Sequence, residues 1–434
     1  MRISNKIFNL LILLLLFLLI YIRLFNNNYL NIYNKVLCCL GIITVLISSI
    51  YFTFKLKLLQ FNIFKIQNAI KSSVKDDLIA LFMSLGAKIG VGSIVGINIA
   101  INKCGPGVIL WIWIISILSS ILTYVETYLG ITFKKNNKTG VFYYIENGIN
   151  NKLLAIIYTI ILIFTYVVGF IGIQSNTIIN FTGSLININK YILIIIVCYI
   201  IAVIIFNKTS NIIKLMGNIV PIMCILYLTL CLLIIISNIN KLKYILILII
   251  KDGLKYDRAL LGSIIVGLQR GIFATEAGIG TSSIASNISN GDKTNQGLFQ
   301  VLGVHFISLF IITFTAIVII NSNIYLYNNS ITNLLLIFET YYGIIGKILL
   351  FIIIFLFAIS TIISGYYYSI KGLEFLKKDL DNYDYLFIKI LVLLISFLGG
   401  IVKSSIIWEF IDDLILFLLL INIYTIISLR NKIK

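Results

Sequence analysis

Apolar stretches of 18 or more residues recur from one end of this 434-residue chain to the other, and no soluble core consumes so many. Each is long enough to cross about 30 Å of hydrocarbon as a helix. Charged residues make up 12% of the chain, where a soluble protein carries about 25%. The mean hydropathy is +1.06. A bundle of membrane-spanning helices follows, and a set of soluble domains does not.

Twelve apolar segments are predicted: 7–25, 35–54, 78–102, 106–133, 152–182, 190–206, 216–237, 258–288, 297–320, 344–370, 385–402 and 405–429. The first follows Arg2 and Lys6 and lacks a small-residue cleavage site, so an uncleaved anchor is expected. Residues 1–54 thus form two helices ahead of the core, and 55–77 a basic linker. Residues 78–237 and 258–429 then form two runs of five helices.

The net charge of +18 would raise nucleic-acid binding in a soluble chain, yet no basic segment interleaved with aromatics supports it. Basic loops held on the cytoplasmic side explain the charge better. With the N-terminus inside, Lys55, Lys57, Lys65, Lys71 and Lys75 fall inside, as do Lys134, Lys135, Lys138, Lys208, Lys214 and the tail with Arg430, Lys432 and Lys434. The Lys-free stretch 321–343 falls outside. One loop, 238–257, disobeys, because it carries Lys241, Lys243, Lys251 and Lys255 on the outer side.

The six cysteines show no metal-type spacing and read as buried thiols. The single histidine, His305, heads an apolar segment and is expected to be structural. One histidine without a metal-ligand cluster leaves an intramembrane enzyme little to work with.

Two segments differ from ordinary spans. Segment 78–102 holds "GAKIGVGSIVG" with Lys88 near mid-membrane, and 258–288 holds "RGIFATEAGIGTSS" with Arg270 and Glu276. A charge at mid-bilayer costs about 2.5 to 3.5 kcal/mol on insertion scales, so these three require partners or a cavity. Each segment contains Gly-x-Gly: Gly90-Val91-Gly92 and Gly278-Ile279-Gly280. Such glycines also serve close helix packing. Two cases at matched positions, each opening a run of five spans, instead predict broken helices of an inverted-repeat transporter.

A half-helix restarting after a break offers free N–H groups and a positive dipole end to a carboxylate. The half-helix that stops there offers free carbonyls to a small hard cation or an ammonium group. Glu126 and Glu276 are expected to pair with Lys88 or Arg270, with a proton relay through these acids as the alternative.

At these residues the sequence resembles the alanine/glycine:cation symporter family, whose fold is of the leucine-transporter type. The likeness rests on "YFTFKLKLLQF" (51–61), "SLGAKIGVGSIVGINIAINKCGPGVILWIW", Glu126, "YYIE" (143–146), "IQSN" (173–176), "VPIM" (220–223), "RGIFATEAGIG" (270–280), Gln296-Gly297, "FAIST" (357–361) and Trp408, in family order. It implies an all-α polytopic protein with a 5+5 inverted repeat and broken first and sixth core helices.

The resemblance further implies that Gly90, Val91, Gly92 and Ser93 hold a substrate carboxylate. Gln174, Phe273, Gly278, Gly280, Thr361 and Gly365 would shape the rest of the substrate pocket. A cation, sodium first, would sit among Gly86, Ile89, Phe357, Ser360 and Thr361, an oxygen-only set that suits a hard ion. For Ser360 and Thr361 the plain alternative is back-bonding to a carbonyl one turn earlier. The family's Gly-Thr-Gly-Asn reads Gly90-Val91-Gly92-Ser93 here, its Asn in "NEAG" reads Thr275, its Asp-Thr reads Ile307-Ser308, and its Trp after Thr361 reads Gly365. Gly365 predicts a larger substrate than alanine or glycine.

The function so implied is symport of a small neutral amino acid by alternating access, in the plasma membrane of a prokaryote, by a monomer with both termini cytoplasmic. No cofactor is expected, and no resident metal beyond the transported cation. A carrier of the same fold coupled to protons, or to no ion, is the second reading.

Overall fold

The computed structural model describes residues 27–186, 188–255, 259–324, 333–377 and 380–433. The predicted anchor at 7–25 lies outside the described residues. Among those residues the chain is helical without a strand, apart from one isolated antiparallel bridge between Lys135 and Lys138.

Helix α1 (Asn27–Lys55) precedes the core and packs on its first and last parts. The predicted linker is partly ordered, with a 3-10 turn (Leu59–Phe61) and α2 (Ile63–Lys71). Asn62 caps α2 by accepting from the Lys65 N–H, and Ile66 and Ala69 face inward.

The first repeat starts with α3 (Lys75–Lys88) and α4 (Val91–Cys104), which together make one interrupted span. Next come α5 (Val108–Thr132), the short α6 (Val141–Gly148) and one long span built of α7 (Lys152–Phe164), a π-turn and α8 (Ile171–Leu185). Helices α9 (Lys190–Ile205) and α10 (Thr209–Ser237) close it.

The second repeat opens with a second interrupted span, α12 (Ala259–Thr275) and α13 (Thr281–Ala285). It continues through α14 (Lys293–Phe306) and α15 (Thr313–Ser322), again joined by a π-turn, then α16 (Asn333–Leu376), α17 (Asn382–Ile401) and α18 (Ser404–Ser428). Gly343, at φ 64°, kinks α16 into a short outer piece and a long spanning piece. π-turns inside helices recur at functional sites, and both of these lie in spans that flank the broken helices.

Burial separates the centre from the rim. Of the most apolar window of Lys75–Cys104, 83% is buried, against 39% for Thr209–Ser237. The interrupted span is therefore central, and α10 turns Ile222, Ile225, Leu233 and Ile236 outward, as a lipid-facing helix does.

One expectation is corrected. The Lys-rich stretch 238–257 is no loop but contains α11 (Ile239–Gly253), which starts directly where α10 stops. Its Ile245, Ile249 and Gly253 pack inward while Lys243 and Lys251 stay exposed, since a helical period places those sets on different faces. The Gly-Pro-Gly turn receives it. Asp252 accepts the Gly107 N–H at 2.7 Å, and the Trp111 indole donates to the Gly253 carbonyl at 3.0 Å. A Cβ on Gly107 would lie 2.4 Å from the Gly253 nitrogen, so only glycine allows this approach.

Candidate functional site: two broken helices

The first break begins at Ile89, whose φ −85° and ψ 66° leave the helix, and Gly90 is extended. Main-chain groups are freed on both sides of it. The Gly86 carbonyl accepts from Thr361 Oγ1 at 3.0 Å and from Ser360 Oγ at 3.3 Å. Both hydroxyls also meet the Phe357 carbonyl, at 2.8 Å from Ser360 and 3.0 Å from Thr361. Back-bonding and the reach across to α3 therefore occur together. Two carbonyls and two hydroxyls converge with no charged group among them, a donor set for a hard monovalent cation once the hydroxyl hydrogens turn away.

On the other side of the break, the Val91 N–H donates to Gln174 Oε1 at 3.1 Å. The start of α4 is thus held by a neutral amide, and its positive end stays unneutralised. A Cβ on Gly90 would come within 2.5 Å of Thr361 Oγ1 and 2.7 Å of Gln174 Nε2. One on Gly92 would lie 2.2 Å from the Phe273 ring. Ser93 turns its hydroxyl back onto the Gly90 carbonyl at 3.0 Å.

Gly86, Gly90, Val91, Gly92, Ser93, Gln174, Phe273, Phe357, Ser360 and Thr361 therefore gather at the first break, with Ile89 as its hinge. Gly365 lies one turn further along α16, where a Cβ would touch Tyr166 at 3.5 Å and Ile171 at 3.6 Å. Gly278 and Gly280 stand apart from that group. A Cβ on Gly278 would meet Leu122, and one on Gly280 would meet Tyr158 and Val141.

The second break runs from Glu276 to Gly280. Glu276, Gly278 and Gly280 all adopt positive φ, at 51°, 90° and 107°. Glu276 Oε2 accepts from the Tyr166 hydroxyl at 2.7 Å and from Thr281 at 2.9 Å. Glu126, from α5, lies against the backbone N–H groups of Gly278 and Gly280. Asn422 clamps this end, donating to Glu126 Oε1 at 3.0 Å and to the Gly278 carbonyl at 2.8 Å, while the Tyr144 hydroxyl donates to Asn422. Lys88 reaches in from the first break, its Nζ donating to Ser282 at 3.2 Å.

Arg270 was expected to share these acids, and the structure gives it another partner. It forms an ion pair with Asp412 of α18, on the opposite side of the break from Lys88. Its guanidinium lies 5.3 Å from the Phe273 ring and 5.0 Å from that of Trp408. Phe273 in turn packs on Phe170 at 5.4 Å and Trp408 at 5.1 Å. These side chains cover the first break from one side.

On the other side, Asp77 near the start of α3 accepts from Gln296 at 2.7 Å and from Ser289. Asp412, Asn422, Tyr166 and Asp77 went unnamed in the sequence reading. An acid or amide inside the apolar stretch 405–429 was the available signal for the first two. His305 meets Ser120 of α5 at 3.2 Å, a structural contact. Among the described residues no group of three or more His, Cys, Asp or Glu is placed to hold a metal.

Among the described residues, a helical core whose first and sixth spans are interrupted, with main-chain groups freed at the breaks, defines the leucine-transporter fold. The fold matches the crystal structure of MhsT in complex with L-phenylalanine, with a TM-score of 0.53 and 13% identity, over 82% of this chain and 99% of that one. A family profile described as the sodium:alanine symporter family matches residues 23–434, and the chain belongs to that family. Among similar proteins, the probable sodium/glutamine symporter GlnT of Bacillus subtilis (strain 168) is 30% identical over 93% of this chain and 88% of its own length. The sodium/proton-dependent alanine carrier protein of Bacillus sp. (strain PS3) is 28% identical over 75% and 79%. The chain is a membrane transporter and not an enzyme.

Proposed function

We propose that this protein is a cation-coupled symporter of a small neutral amino acid, with sodium as the coupling ion, working by alternating access in a prokaryotic plasma membrane. The observation that carries this reading is the convergence of the Gly86 and Phe357 carbonyls with the Ser360 and Thr361 hydroxyls, next to a start of α4 that only the neutral amide of Gln174 meets.

In this reading the substrate carboxylate displaces Gln174 from the Val91 N–H and takes the positive end of α4. The cation settles between α3 and α16, and so ties the first broken helix to the scaffold. Gly86, Ile89, Phe357, Ser360 and Thr361 hold it, while Gly90, Val91, Gly92 and Ser93 hold the carboxylate. Phe273, Gln174, Thr361 and Gly365 shape the space for the side chain. Arg270, Asp412, Phe273 and Trp408 shut the outer path, and the Asp77 contacts shut the inner one. The basic loops support a cytoplasmic position for both termini.

One sodium ion crossing 100 mV releases about 2.3 kcal/mol. At about 1.4 kcal/mol per tenfold step, this supports roughly 40-fold accumulation before any sodium gradient is added.

Relatives named for alanine and for glutamine both support an amino-acid cargo. Gly365 favours one larger than alanine, and a Gly365→Trp variant is expected to shift preference toward glycine and alanine. The experiment for the reading as a whole is uptake of labelled amino acids into proteoliposomes with sodium, potassium or choline outside. Saturable accumulation that requires sodium supports it. Equal uptake in all three salts overturns sodium coupling, and no uptake of any neutral amino acid overturns the cargo.

A further inference from the structure

On the Arg270 side, the guanidinium is paired directly with the Asp412 carboxylate. The cluster at the second break is not paired off in this way. It holds one cation, Lys88, and two carboxylates, Glu126 and Glu276, all 3% exposed or less. With all three ionised the sum is +1 − 2 = −1.

Among the described residues around the cluster, no second positive group faces these carboxylates. Tyr144 of α6, Tyr158 of α7, Tyr166 of the π-turn and Tyr368 of α16 face the carboxylates, together with Ser282 and Asn422, and none of these carries a positive charge. A lone net charge at this depth is costly, so it calls for a compensating ion.

The hydrogen bonds point to the same gap. Glu126 Oε2 and Glu276 Oε1 accept no hydrogen bond of good geometry, although the other oxygen of each is engaged and the Gly278 and Gly280 N–H groups lie near the Glu126 carboxylate. Lys88 attracts both carboxylates, while the hydrogen bond its Nζ makes goes to Ser282. Two bare carboxylate oxygens on fully buried side chains leave acceptor capacity that the protein itself does not use.

We propose that Lys88, Glu126 and Glu276 form a binding site for one monovalent cation, separate from the one at Ser360 and Thr361. The occupant is a proton or a sodium ion, since both supply the single missing charge. A proton needs one carboxylate oxygen, and a sodium ion would draw on both bare oxygens and on nearby hydroxyls. The site spans Lys88 on the first broken helix and Glu276 on the second, so its occupancy ties together the two elements that a transport cycle moves. That tie to transport rests on the symport reading, whereas the site itself rests on the charge count.

The test counts cations in the purified full-length protein. Labelled sodium bound per molecule is measured at equilibrium, and infrared spectroscopy reads the carbonyl band of a protonated carboxyl. The wild-type protein is compared with Glu126→Gln, Lys88→Met and the double variant. The charge count predicts one ion for wild type, none for Glu126→Gln, two for Lys88→Met and one for the double variant, beyond any sodium held at Ser360 and Thr361.

A loss of one sodium in Glu126→Gln identifies sodium as the occupant, and a loss of the infrared band identifies a proton. If neither measurement changes between wild type and Glu126→Gln, the proposal is overturned. If Glu126→Gln fails to fold, the gain of one ion in Lys88→Met carries the test, and its absence overturns the proposal equally. Amino-acid uptake is recorded on the same preparations. Its absence in wild type would retire the symport reading and leave the cation count standing.

Discussion

The two interrupted helices are related by sequence pattern and by position in the fold, yet they are finished in opposite ways. At the first, the restart of α4 is met by the neutral side chain of Gln174, and the end of α3 by the hydroxyls of Ser360 and Thr361. At the second, the corresponding N–H groups lie against the carboxylate of Glu126, and Glu276 is locked by Tyr166 and Thr281. A helix start that already has an anion has little left to offer a ligand carboxylate. The same Gly-x-Gly device therefore leaves a helix start met by a neutral amide in one repeat and one met by a carboxylate in the other.

The largest expected effect tests how the first break is built. Gly92→Val would drive a side chain into the Phe273 ring, and uptake is expected to fall by more than about 100-fold, because misplacement by an ångström is enough to cost that much. Near-normal uptake in Gly92→Val would show that Phe273 moves freely and that close approach is not needed.

Making the first break resemble the second is the sharper trial. Gln174→Glu would set a carboxylate on the Val91 N–H and compete with the cargo. Uptake is expected to fall on the order of 100-fold, the scale of a charged group set against a ligand of like charge, while sodium binding persists. Unchanged substrate affinity in a binding titration would remove α4 as the carboxylate site.

Asp412→Asn leaves Arg270 without its countercharge at a position 13% exposed. The loss is expected to be about 2 kcal/mol, between the values for surface and buried pairs, read from thermal unfolding in detergent. A smaller effect is expected at the cradle. Thr361→Val removes one hydroxyl ligand and should raise the half-saturating sodium concentration about tenfold, the value of roughly 1.4 kcal/mol. If sodium dependence stays put in Thr361→Val, the cradle is not where the ion binds.

Much of this architecture was readable before coordinates. Long apolar runs specify spanning helices, and two Gly-x-Gly stretches flanked by charges mark where such helices are interrupted. Interruption is a local backbone property, which is why Ile89, Gly90, Gly278 and Gly280 could be read from the chain. Partnerships were not readable in the same way. Arg270 met Asp412 rather than Glu126 or Glu276, because the choice of partner depends on how helices 142 residues apart are rotated against each other. The carboxylate finish of the second break was hidden for the same reason, since it depends on Glu126, Tyr166 and Asn422 arriving from three separate elements. The Lys-rich stretch misled for a different cause: hydropathy averages over both faces of α11 and so erases its period.

Contact at the first break is made chiefly by peptide groups, and that bears on which substitutions it tolerates. Replacing one residue type by another at Val91 or Ser93 leaves the amides themselves in place, so the proposed grip on the cargo's common end would survive such a change. The demand for one particular residue type falls instead where the main chain passes unusually near a neighbour, as at Gly90 and Gly92.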